Sequence, residues 1–112
     1  MMPIEQEVRI YARSDGSEPF TDWLRGLRDG ETRDRIRQRI ARLRLGNFGD
    51  ARSVGDGVQE LRIHFGPGYR MYFGREREVV VILLCGGDKG SQDRDIERAK
   101  EYWREHRSRS HG

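Results

Sequence analysis

The chain has a single cysteine, Cys85, so no internal disulfide can form and nothing points to an oxidising compartment. Long apolar runs are missing as well. The longest, residues 79–85, is strand-sized, well short of the ~18 residues that a membrane-crossing helix needs. The opening MMPIEQEVRI lacks the basic-then-apolar order of a secretory signal. These absences set the expectation of a cytoplasmic protein with no membrane segment. There is no CxxC pair, no HExxH and no GxxxxGK[ST] loop, which removes the usual signatures of thiolate metal sites, zinc hydrolases and phosphate cradles. GGDKG at residues 86–90 is glycine-rich but lacks dinucleotide spacing. The expectation is therefore a protein with neither metal nor organic cofactor. Lysine is scarce too, occurring only as Lys89 and Lys100.

Arginine takes its place. With 37% charged and 34% hydrophobic residues in 112 positions, the chain can build one domain with a thin core, burying roughly 60–70% of its unfolded surface. Arg33, Arg35, Arg37, Arg39, Arg42 and Arg44 face only Asp34 within residues 33–46, whereas the whole chain carries a formal +3. Such a stripe can neutralise phosphates and release counterions, which makes Arg35, Arg39 and Arg42 candidate RNA contacts. A solvated helix face explains the same residues without any ligand.

Val8, Ile10 and Ala12 alternate with Arg9, Tyr11 and Arg13, predicting a first strand. Ser17 is placed to cap a helix with Pro19 in its first turn and Phe20, Trp23, Leu24 and Leu27 on one face, ending near Asp29 and Gly30. A second helix, about residues 31–45, turns Ile36, Ile40 and Leu43 inward, and the two should form a hairpin. Past Asp50 the signals become strands separated by glycine. VQELRIHF and YRMYF place Leu61, Ile63 and Phe65, then Tyr69, Met71 and Phe73, on a core face. With Gly66-Pro67-Gly68 as the loop, His64 pairs with Arg70 and Arg62 with Tyr72 on the opposite, solvent-facing side. VVVILLC is apolar on both faces and reads as the central strand, stopping at Gly86. Ser91 is placed to cap a last helix with Ile96, Ala99 and Trp103 inward, and RSRSHG reads as a frayed tail. The whole is one α+β domain over residues 1–112, with an ordered core of about 8–106 and a tail of 107–112.

The cluster of Arg62, His64, Arg70 and Tyr72, beside the loop carrying Lys89, sets like charges close together. Such crowding costs folding energy unless an anion is expected there. RNA cleavage suits such a site, because the attacking nucleophile is the substrate's own 2′-hydroxyl. The protein then supplies alignment, stabilisation of the phosphorane-like transition state and proton transfer. Arg62 and Arg70 fit the clamp, since guanidinium stays protonated and binds phosphate oxygens bidentately. His64, with an unperturbed pKa of about 6.5, and Lys89 are the candidates for acid and base, with the two roles unassigned. Cys85 reads as core, and His106 and His111 as inert members of the tail.

The stretches FTDWLRGL, RIARLRLGNFGDARSVGDGVQELRIHFGPGYRMYF and LLCGGDKGSQDRDIERA resemble the HigB-like "addiction module killer" branch of the RelE/ParE toxin superfamily, over about residues 9–105. The ordered set GNFGD, ELR, FGPGYR and GGDK carries the likeness. The resemblance implies a RelE-like α+β fold, with a helical hairpin on a twisted, mostly antiparallel sheet and a C-terminal helix. It also implies a type II toxin: a ribosome-dependent, metal-independent mRNA endoribonuclease restrained by a small antitoxin, often a helix-turn-helix protein. Its catalytic positions look like Arg62 in ELR, Arg70 in GYR and Lys89 in GGDK. His64 rests mainly on the predicted geometry, with histidine also used nearby by HigB-like toxins. Tyr72 is added as an RNA contact from that geometry alone. Gly90 departs from the serine or threonine common in this branch, and only Asp88, Gln92 and Tyr102 offer polar groups after the last strand. Two other outcomes are compatible with the fold: a ParE-like, non-enzymatic inhibitor of DNA gyrase, and an inactive relic that only binds its antitoxin.

Overall fold

Residues 3–110 are described by a computed structural model. The first period-two stretch forms β1 (Glu7–Ile10), followed by α1 (Pro19–Gly26) and α2 (Gly30–Arg44). Four strands come next: β2 (Ala51–Gly55), β3 (Val58–Ile63), β4 (Tyr69–Arg77) and β5 (Val80–Asp88). A 3₁₀ turn (Lys89–Ser91) leads into α3 (Gln92–Ser110). The strand order is β1-β5-β4-β3-β2, with β1 parallel to β5 and the other pairings antiparallel. The α+β expectation holds as a mixed five-stranded sheet with three helices. β5 is an interior strand, but the middle position belongs to β4.

Alternation along the strands sorts the core into two layers. Val81, Leu83, Met71, Phe73, Leu61 and Ile63 pack with Phe20 of α1 and Ile36, Ile40 and Leu43 of α2. Val80, Ile82, Leu84, Tyr72 and Val58 point the other way and pack with Ala99 and Trp103 of α3. This explains why 80–85 is apolar at every position: β5 is covered on both faces there, whereas Val79 precedes the strand and is exposed. The face expected to be open to solvent lies partly under α3.

The β3–β4 hairpin departs from the predicted register. Ile63 pairs with Tyr69, Arg62 with Arg70, Leu61 with Met71 and Glu60 with Tyr72, so residues 64–68 form a five-residue loop. Pro67 has no N–H to give a ladder. The turn is closed instead by the amides of Phe65 on Ile63 and Gly68 on Phe65, with Gly66 and Gly68 at positive φ. Because the slip is two residues, each side chain keeps its predicted face. His64, however, leaves the ladder and no longer opposes Arg70.

Helix and strand ends also differ from expectation. Glu18, not Ser17, occupies the α1 N-cap, because Ser17 bonds back to Asp15, and the helix ends at Gly26. Asp29 caps α2, accepting from the Glu31 amide and the Thr32 hydroxyl. β5 runs past Gly86 to Asp88, and Asp88, not Ser91, is the principal cap: its Oδ1 accepts from the amides of Gly90 (2.8 Å) and Ser91 (3.2 Å), while the Ser91 hydroxyl accepts from the Asp88 amide. The RSRS segment is helical to Ser110. Arg109 pairs with Glu105 at 3.0 Å and donates to the Ala12 carbonyl, while His106 stacks on Trp103 and meets Glu76 at 2.6 Å, so it is docked on the sheet layer. His111 lies outside the described residues.

The bare backbone of Gly86 makes room for the six-membered ring of Trp23, which a Cβ there would run into. Gly86→Ala should therefore lower unfolding stability by about 1–3 kcal/mol through overpacking, read as a lower urea midpoint; an unchanged midpoint would show that Trp23 can move aside freely.

Candidate functional site

The expectation of cations without a counter-charge is corrected by Glu60, whose side chain is 0% exposed. Its Oε1 faces Arg52 Nε at 3.1 Å and Arg62 Nε at 3.4 Å. Its Oε2 faces Arg70 Nε at 3.5 Å and accepts from the Tyr72 hydroxyl at 3.0 Å and Gln92 Nε2 at 2.9 Å. Burial alone would raise the Glu60 pKa, but the hydrogen bonds from Gln92, Tyr72 and Arg52, with the Arg52 charge, outweigh it and hold the carboxyl below its ordinary range. All three arginines approach through Nε, which leaves terminal Nη groups available for a second partner; Arg70 Nη1 also donates to the Gly68 carbonyl at 3.2 Å. Three guanidiniums around one carboxylate leave a net positive centre.

Lys89 belongs to this centre. Arg70 is in register with Gly87 and Tyr69 with Asp88, and a Cβ on Gly68 would lie 3.8 Å from Lys89 Cβ and 3.9 Å from Arg70 Nη1. Lys89 is exposed at the rim, whereas Arg70 is only 7% exposed. Arg62, Arg70 and Lys89 are thus gathered at one end of neighbouring strands.

Tyr72 is corrected as an RNA contact. It is fully buried, and burial, then the Glu60 charge and hydrogen bond, push its phenol pKa well above the ordinary value, so it stays a donor to Glu60. Any influence it has on a ligand passes through that carboxylate.

His64 stands on the opposite flank of the hairpin, 74% exposed, with Nε2 2.7 Å from Asp50 Oδ2. It shares a cleft of about 270 Å³ with Arg35, Arg39, Arg42, Arg62 and Phe65. The arginine stripe and His64 therefore meet, and Arg62 joins this cleft to the Glu60 centre. Arg39 is largely committed to structure: it donates to the carbonyls of Phe48 (2.9 Å) and Asn47 (3.4 Å), and burial, followed by the Arg42 charge, lowers its pKa. Arg35 lies over the Phe65 ring at 4.5 Å and pairs with Glu31 at 3.7 Å.

Sequence reasoning missed Glu60, Arg52 and Asp50, and named Gln92 only as a polar group after the last strand. The available signal was Glu60 itself, two residues before Arg62 and so on the same face. Burial, then the Asp95 charge, pushes the Cys85 thiol up to about 12, in keeping with a core role. Among the described residues no three His, Cys, Asp or Glu side chains are grouped as metal ligands, and no helix is long and apolar enough to cross a membrane.

No family model matches the chain. An uncharacterized protein of Haemophilus influenzae is 53% identical over 81 residues, which span 72% of this chain and 82% of that protein. The chain belongs to the family of that Haemophilus influenzae protein.

Proposed function

We propose that this protein is the toxin of a type II toxin–antitoxin pair, a HigB-like member of the RelE/ParE superfamily that cuts mRNA on the ribosome. The observation that carries the reading is the set of three guanidiniums on one buried carboxylate, with Lys89 at its rim. Glu60 fixes Arg62 and Arg70 before substrate arrives, so their remaining N–H groups need no reorganisation as charge grows on the scissile phosphate. Arg52 adds long-range attraction from the exposed side.

His64 and Lys89 flank the β3–β4 hairpin from opposite sides. That arrangement suits in-line chemistry, in which one group takes the 2′-hydroxyl proton and the other serves the departing 5′-oxygen. Asp50 orients the His64 ring through its contact with Nε2. Arg35 and Arg42 extend the positive surface toward ribosomal RNA. The proposed setting is the cytoplasm, with a small helix-turn-helix antitoxin as partner.

Induction of the protein in cells, followed by mapping of mRNA 5′ ends, tests the reading. New ends confined to translated regions are the expected result. Intact mRNA together with blocked DNA supercoiling would replace this reading with gyrase inhibition, and unimpaired growth would replace it with an inactive relic.

A further inference from the structure

A second feature adjoins the cationic centre and is used by none of the chemistry above. β1 ends at Ile10, opposite Leu83, and the last bond across this edge runs from the Tyr11 amide to the Leu83 carbonyl. Beyond it, the outer edge of β5 at residues 85–88 has no strand neighbour among the described residues. That edge floors a cavity of about 540 Å³ between α1 and α3, with Trp23, Gly87, Arg94, Arg98 and Tyr102 in its walls. The volume lies within the ~300–1,000 Å³ typical of small-ligand sites.

Trp23 is held in place by its neighbours. Gly86 lies against its ring, Phe20 is 5.6 Å away centroid to centroid, and Tyr69 meets it edge-on at 6.3 Å. Tyr69 immediately precedes Arg70, and the cavity is bordered by Gly90, next to Lys89. The cavity therefore adjoins the cationic centre at its Lys89 rim, whereas Tyr69 and Arg70, as strand neighbours, lie on opposite faces of the sheet. Arg94 and Arg98 are exposed one turn apart on α3. The carboxylates in the cavity are already engaged: Asp88 caps the 3₁₀ turn, and Asp95 is buried and accepts from the Ser91 hydroxyl.

We propose that this cavity binds one unpaired nucleobase of the RNA, next to the phosphate held by Arg62 and Arg70, by stacking on Trp23, with the free β5 edge meeting the base edge and Arg94 and Arg98 meeting the adjoining phosphate. A splayed base has the π-face that an aromatic wall rewards, and a backbone edge supplies the donors and acceptors that distinguish bases. The assignment rests on the RNA-cutting reading for its substrate, but its recognition chemistry can be tested apart from cleavage.

The probe is a short single-stranded RNA made uncleavable by 2′-O-methylation at every position, compared with copies carrying one abasic site moved along the strand. Affinity is read by anisotropy and stacking by quenching of tryptophan emission. The intact oligonucleotide should quench emission, and Trp23→Leu should weaken binding by about tenfold and abolish most of the quenching, as loss of a stacked base does. Trp23→Phe should retain most of the affinity. At one abasic position the wild type and Trp23→Leu should bind equally.

Arg98→Glu, an exposed change that leaves the core untouched, should weaken binding even if Trp23→Leu folds poorly. Equal losses for Trp23→Leu at every abasic position, or unchanged affinity in both Trp23→Leu and Arg98→Glu, would overturn the pocket while leaving the cleavage reading standing. Abasic RNA binding as well as intact RNA would overturn it too and point to a polypeptide strand along β5. Base-dependent binding by a protein that cuts no mRNA would retain the pocket and remove the cleavage reading.

Discussion

Arg70→Ala should reduce cleavage of translated mRNA by about 10²–10³-fold, the loss typical of removing one preorganised donor to a developing oxyanion. Arg70 is the arginine for which water can substitute least, being 7% exposed, set against Glu60 through Nε and braced on the Gly68 carbonyl through Nη1. Arg70→Lys keeps the charge but not the fork and should recover only part of the rate. Lys89→Ala provides the control for folding, since Lys89 is exposed and its removal leaves the Glu60 centre intact. Its activity should also fall, with an unchanged thermal midpoint. The measurement is single-turnover cutting of a programmed ribosome. Cutting at the wild-type rate by both Arg70→Ala and Lys89→Ala would remove the cationic centre from the reaction.

The layer arrangement was legible because alternation is local: Leu61, Ile63, Met71 and Phe73 keep one face whichever even register the hairpin adopts. Register was less legible. A Gly-Pro-Gly loop and a five-residue loop differ by a two-residue slip that takes His64 and Phe65 out of the ladder and re-pairs every residue behind them, a choice made by turn hydrogen bonds. The site followed the same division. Arg62 and Arg70 could be placed together from period two, and Lys89 from the glycine turn after the apolar run. The role of Glu60 could not be read so directly, because a carboxylate beside Arg62 on the polar side of a strand looks solvated until α3 supplies Gln92 and closes over it. Asp50 was equally hidden, being 14 residues from His64 and brought to it by the β2–β3 pairing.

Glu60→Ala should be the most destabilising single change in the site, by about 3–5 kcal/mol, the usual cost of breaking a buried ion pair by removing one partner. Arg52 and Arg62 have side chains 53% and 35% exposed and can turn to water, so most of the cost should come from Arg70 and from the orphaned hydroxyl of Tyr72. The double variant Glu60→Ala/Arg70→Ala should consequently be less destabilised than the sum of the two single changes. Acid sensitivity supplies an independent reading. The folded pKa of Glu60 lies below its unfolded value of about 4.3, so the folded state binds this proton less readily than the unfolded chain does. Its contribution is then fully present above about 4.3 and is lost as the pH falls through the lower, folded value. Glu60→Gln, which cannot ionise, should flatten the acid limb of a plot of urea midpoint against pH while leaving the limb above neutrality unchanged. An acid limb identical to wild type would mean that Glu60 is not held ionised, and that Arg62 and Arg70 owe their positions to something other than its charge.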